Sequence, residues 1–71
     1  MKVGDLVLIN ATHCLVWNEK YSRYRVRKPV GKVSQDDFGI VLATTIQSDD
    51  VFILTKIGPG WIFKGYLDMM K

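Results

Sequence analysis

The stretch Gly39-Ile40-Val41-Leu42-Ala43-Thr44-Thr45-Ile46, then Gln47-Ser48-Asp49-Asp50, then Val51-Phe52-Ile53-Leu54-Thr55-Lys56-Ile57, decides the fold. The first run is rich in β-branched residues, which suit a pleated, half-buried surface. Alternation along a strand puts Ile40, Leu42 and Ile46 on one side and Val41, Ala43 and Thr45 on the other. The middle four are mostly turn residues, whose short polar side chains bond nearby backbone groups. The last run resumes a strand with Val51, Ile53 and Ile57 on one face. Together they predict a β-hairpin with a loop of about four residues.

Outward from this hairpin the strand signals continue. Gly58-Pro59-Gly60 is the strongest turn signal in the chain, and Trp61-Ile62-Phe63 resumes a strand after it. Lys64-Gly65 breaks that strand, and Tyr66-Leu67-Asp68-Met69-Met70 closes the chain as a helical turn or a short last strand. On the other side, Leu6-Val7-Leu8-Ile9 follows Gly4-Asp5 and reads as a short buried strand. No stretch sustains a helical period, so the fold class is all-β.

The segment Asn10–Asp37 is long for a connection in a small domain, and such segments are functional or hide an element. Within it, Tyr21–Lys28 is compatible with a strand that sets Arg23, Arg25 and Arg27 in a row, about 6.6–6.8 Å apart. Pro29 ends that strand or marks a sheet edge. At 71 residues there is room for one domain, 1–71, with 10–37 as a long basic insert. A chain this short buries only about 60% of the surface that its unfolded form exposes. Apolar residues are 48% of the chain, enough for a core and against disorder.

The net charge of +3 is concentrated. Lys20, Arg23, Arg25, Arg27, Lys28 and Lys32 lie in a window without an acidic residue. Outside it, four basic residues face seven acidic ones, a balance of −3. The positive excess is thus one segment, which attracts acidic partners or nucleic acid. The single cysteine, Cys14, excludes an intrachain disulfide and points to a reducing compartment. No apolar run reaches the ~18 residues of a membrane span. Met1–Asp5 meets an acidic residue at once, and Leu6–Ile9 is too short for the core of a signal peptide. A cytoplasmic location with no membrane partner is therefore expected.

The order of these pieces resembles small SH3-like barrels. Lys2-Val3-Gly4-Asp5-Leu6-Val7 is similar to the first strand of many such barrels, including KOW-type modules. The closer resemblance is to short SH3-like proteins of tailed bacteriophages. It is carried by Lys2–Val7, Gly39–Leu42, Val51–Leu54, Trp61 and Tyr66-Leu67-Asp68, about half the chain. The departure is Asn10–Asp37, where those proteins have a short loop. The resemblance implies a small antiparallel barrel of about five strands and a phage origin, in the host cytoplasm or the virion. It implies no catalytic residue.

The basic segment admits three readings. Arg23, Arg25, Arg27 and Lys28, with Trp17, Tyr21 and Tyr24 interleaved, form a protein-binding patch, since Arg, Tyr and Trp are enriched at interface hot spots. The second reading is a solvated edge whose charges block sheet-to-sheet aggregation. In the third, the arginines contact phosphates while an aromatic ring stacks on bases. The modest net charge disfavours a dedicated DNA binder.

Other combinations are poorer. His13 and Cys14 are the chain's whole His and Cys complement, against the four ligands of structural zinc, so no metal is expected. As neighbours on a strand they also point apart, which disfavours a nucleophile–base pair. Asp36-Asp37 and Asp49-Asp50 flank strand starts and read as turns rather than as convergent catalytic carboxylates. Trp61 and Phe63 read as core, with a peptide groove that includes Tyr66 as the alternative. Met69 and Met70 either cover the open end of the barrel or fray. The expectation is a non-enzymatic protein-binding or assembly module without cofactor or small-molecule substrate. Self-association is expected too, because small domains gain stability by it.

Overall fold

The hairpin forms. In the computed structural model, which describes residues 1–46 and 48–69, strand β4 (Phe38–Thr44) pairs antiparallel with β5 (Asp50–Thr55). Ile40 faces Leu54 and Val41 faces Ile53. Ala43 faces Phe52, so Leu42 is the extra residue of a β-bulge that bends β4. The alternation holds: Val41, Val51 and Ile53 are buried, while Ile40, Leu42 and Leu54 are exposed. Gln47 and Met70, on which the loop and the chain-end readings partly fell, lie outside the described residues.

The turn after β5 is not where Gly58-Pro59-Gly60 suggested. Thr55 pairs with Gly58, so the turn is Lys56-Ile57, and Gly58–Phe63 is a strand, β6. Ile57 therefore leaves the Val51 and Ile53 face and is exposed. Gly58 supplies the positive φ, +111°, that closes a tight turn without steric cost. The Thr55 hydroxyl donates to the Gly58 carbonyl (3.0 Å) and accepts from the Ile57 amide (3.3 Å). Pro59 sits at the second position of β6, before that strand meets its outer neighbour at Trp61, so a missing donor is tolerated.

The remaining strands are β1 (Leu6–Ile9), β2 (Cys14–Trp17), β3 (Pro29–Val33) and β7 (Leu67–Met69), the last preceded by a single 3₁₀ turn, Lys64–Tyr66. All seven belong to one antiparallel sheet in the order β3-β2-β6-β5-β4-β1-β7. This corrects the expected strand number from about five to seven. No pairing joins β3 to β7 among the described residues, so the sheet is open rather than closed. Nor is Asn10–Asp37 a mere connection: it holds β2 and β3, which pair with each other and carry Cys14, Val16 and Val33 into the core. Among the described residues no helix is long and apolar enough to cross a membrane.

Val7, Val16, Val41, Ile53 and Ile62 have no exposed surface, which one sheet achieves only by curling a face onto itself. The buried core is aliphatic apart from Cys14, with isoleucine its largest side chain. Trp61 is half-buried and Phe63 exposed, both on the face opposite Ile62, so the reading of these two rings as core is corrected.

Gly60 is fixed by this packing. A Cβ there would press on Val16 Cγ1 and lie 3.1 Å from the Trp17 carbonyl oxygen, because β2 crosses β6 closely at this point. Gly60→Ala is expected to destabilise the fold by about 1–3 kcal/mol, an overpacking cost that urea unfolding would measure. The turn into β4 is acid-sensitive. The Ser34 amide, and then Lys56, hold the Asp37 carboxyl below the usual carboxylate range. A depressed folded value contributes stability above the unfolded value, about 3.9, and loses it as pH falls. Asp37→Asn is therefore expected to shallow the acid limb of stability against pH and to leave its neutral-pH shape unchanged.

Candidate functional site

The loop between β2 and β3 carries most of the basic segment. It closes at its mouth, where Asn18 and Lys28 exchange two hydrogen bonds: the Asn18 amide donates to the Lys28 carbonyl, and the Lys28 amide donates to Asn18 Oδ1 (3.0 Å each). At its tip the Tyr24 amide donates to Ser22 Oγ (3.2 Å), a local turn that competes with strand pairing. Tyr21–Lys28 is thus a loop, and the strand-borne row of arginines is corrected.

The three arginines take three different partners. Arg25 pairs with Glu19 (3.3 Å) and is largely exposed. Arg23 lies over the Tyr24 ring, 5.5 Å from its centroid. Arg27 turns inward, where its Nη1 donates to Asp50 Oδ2 at 2.6 Å. Its guanidinium stacks 4.4 Å from the Trp17 ring centroid and 5.5 Å from that of Tyr21. The same Asp50 oxygen accepts the Tyr21 amide at 2.5 Å. One carboxylate, 4% exposed at the start of β5, therefore binds both ends of the inner half of the loop. The Asp50 amide in turn donates to Ser48 Oγ (3.3 Å).

This arrangement builds the wall of a cleft of about 990 Å³. Its other walls are the turn between β1 and β2, the start of β2, and the rings of Phe63 and Tyr66. Those two rings meet edge to face, centroids 5.3 Å apart, and both are more than two-fifths exposed. Of the three rings grouped in the sequence as an alternative groove, Phe63 and Tyr66 line this cleft, while Trp61 packs on Phe52 instead, centroids 5.0 Å apart. Asn10, Thr12, Gln35 and Ser48 place neutral polar groups around the cleft. A concave site with aromatic walls and a few polar groups is a general pattern for binding.

Of the residues singled out from sequence, Trp17, Tyr21 and Arg27 converge here, while Arg23, Tyr24, Arg25 and Lys28 stay on the exposed part of the loop. Asp50 was missed as a site residue because it was read as a turn. His13, at φ +57°, is exposed, and Cys14 is buried. Among the described residues no three His, Cys, Asp or Glu side chains gather to hold a metal ion.

Burial pushes the Cys14 thiol up, so it is protonated and weakly nucleophilic near neutral pH. A raised folded value contributes stability below the unfolded thiol value, about 8.5, and loses it as pH rises above that. A thiol reagent is expected to label Cys14 only at the rate of opening, with labelling complete at once in urea. Immediate labelling of the folded protein would contradict its burial.

Compared with family models, with curated proteins and with solved structures, the chain finds no match in any of the three.

Proposed function

We propose that this protein is a non-enzymatic binding module that docks a segment of another protein in the cleft bounded by Trp17, Tyr21, Phe63 and Tyr66. The observation that carries this reading is the Arg27–Asp50 pair on the Trp17 ring. It neutralises the cation that would otherwise be the inner phosphate ligand, and it leaves a largely aromatic wall whose further charge is the carboxylate of Asp49, paired with Lys64 at 3.6 Å. Such walls favour apolar and aromatic side chains of a protein over a phosphate backbone. The opening Gly4-Asp5, the β4–β6 meander and the tight turn before β7 support an SH3-like reading of the fold. On that reading, the short SH3-like proteins of tailed bacteriophages are its kin, and assembly in a host cytoplasm or virion is its setting.

Selection from a random-peptide display library tests the proposal. Enriched peptides are expected to carry apolar or aromatic anchors, to lose roughly 30-fold or more in affinity with Trp17→Ala, and to bind almost independently of salt. The rival occupant is a nucleic acid held by Arg23, Arg25 and Lys28. Failure to enrich any peptide, together with oligonucleotide binding that weakens steeply between 50 and 200 mM salt, would establish that rival instead.

A further inference from the structure

The outer face of the sheet is apolar over β1, β4 and β5, where none of the described residues covers it. Leu6 on β1, Ile40 on β4 and Leu54 on β5 stand directly opposite one another across three adjacent strands, and each is two-fifths or more exposed. Phe38, two residues before Ile40 on the same face of β4, is 62% exposed. Antiparallel sheets often leave one face to water, and that face is then polar. Here the solvent face of the three strands is not polar. These side chains line a groove of about 320 Å³. The groove's charges are Asp37 and Lys56, which pair with each other at 3.2 Å.

We infer that this face is the interface of a two-fold homodimer, in which Phe38 of each copy enters the groove lined by Leu6, Ile40 and Leu54 of the other. The occupant is a second copy for two reasons. A two-fold interface must be self-complementary, because the same patch meets itself. This patch has one cation beside one anion, so a two-fold axis that runs between Asp37 and Lys56 sets Lys56 of each copy against Asp37 of the other without like-charge contact. A groove and a protruding ring on one surface likewise satisfy each other when doubled. The second reason is area. The exposed apolar side chains here, on the order of 400 Å², reach the size at which a patch marks an interaction site. The dimer would also relieve the thin, aliphatic core of a small domain. The inference does not depend on the cleft, which lies at the β1–β2 turn and the β2–β3 loop.

Sedimentation equilibrium of the full chain, with a mixed-label NMR sample, tests the inference. The wild type is expected to dimerise reversibly, with intermolecular contacts from the Phe38 ring of one copy to Ile40 and Leu54 methyls of the other. Leu54→Lys is expected to weaken dimerisation by roughly 30-fold or more while the thermal transition of the monomer persists. Phe38→Ser is a second variant, at a more exposed position, should the first fail to fold. Arg25→Ala, in the distant loop, is expected to leave dimerisation unchanged. A wild type that remains monomeric at millimolar concentration would overturn the inference. So would a dimer that survives both variants or shows its contacts at another surface.

Discussion

Asp50→Ala is expected to lower the unfolding free energy by about 3–5 kcal/mol, the cost of leaving one partner of a buried ion pair alone. The Asp50 side chain is 4% exposed and that of Arg27 is 19% exposed, so solvent screening is slight. Removing the carboxylate strips Arg27 of its counter-charge and the Tyr21 amide of its acceptor together. Asp50→Asn keeps an acceptor for Tyr21 but loses the charge, and an intermediate loss is expected. Urea unfolding of the three proteins measures both. Hydrogen exchange locates the effect: the Tyr21 amide should be protected in the wild type and exchange freely in Asp50→Ala. A loss below about 1 kcal/mol would mean that the pair is solvated and that the cleft wall is not held.

Ile53→Ala is expected to cost about 2–5 kcal/mol, the range for truncating a buried aliphatic side chain and leaving a cavity. Ile53 has no exposed surface and sits at the centre of β5, flanked across the sheet by Val41 and Gly60. At roughly 0.05–0.15 kcal/mol per residue, a domain of this size holds only several kcal/mol in total. The thermal midpoint should therefore fall by at least roughly 10 °C. Leu15→Ala, at an exposed position of β2, is expected to fall within about 1 kcal/mol. Equal losses at the two positions would contradict the assignment of faces.

These two variants also mark what could be read in the sequence. Ile53 was legible because alternation is local: Val51 and Ile53 declare their shared face without knowledge of the rest of the chain. The same period, applied to Trp61-Ile62-Phe63, puts both rings on the side opposite Ile62, away from the core in which they had been placed. Gly58-Pro59-Gly60 misled because two glycines there have different duties. Gly58 takes the positive φ of the turn, and Gly60 makes room for Val16 of a strand far away in sequence. Only the first of these is a local property.

Asp50 was illegible for the same reason. Its partners, Tyr21 and Arg27, are 29 and 23 residues distant, and beside Asp49 it looked like half of a turn. The loop Tyr21–Lys28 had an alternation that a strand could use, but a ladder partner was never implied. Asp50 captures Arg27 and the Tyr21 amide, and Asn18 closes the loop on Lys28, so the backbone finds its hydrogen bonds without a sheet. Charge clustering showed where the basic residues are. It did not show that one of the three arginines is neutralised inside the fold.

The proposed binding surface is the aromatic cleft rather than the exposed basic tip. It is tested most directly by adding the best display-selected peptide to isotope-labelled protein and following each amide and indole signal. The largest shifts are expected at the Trp17 indole, Tyr21 and Tyr66, unchanged by added salt. Shifts confined to Arg23, Tyr24, Arg25 and Lys28 that vanish on adding salt would contradict it.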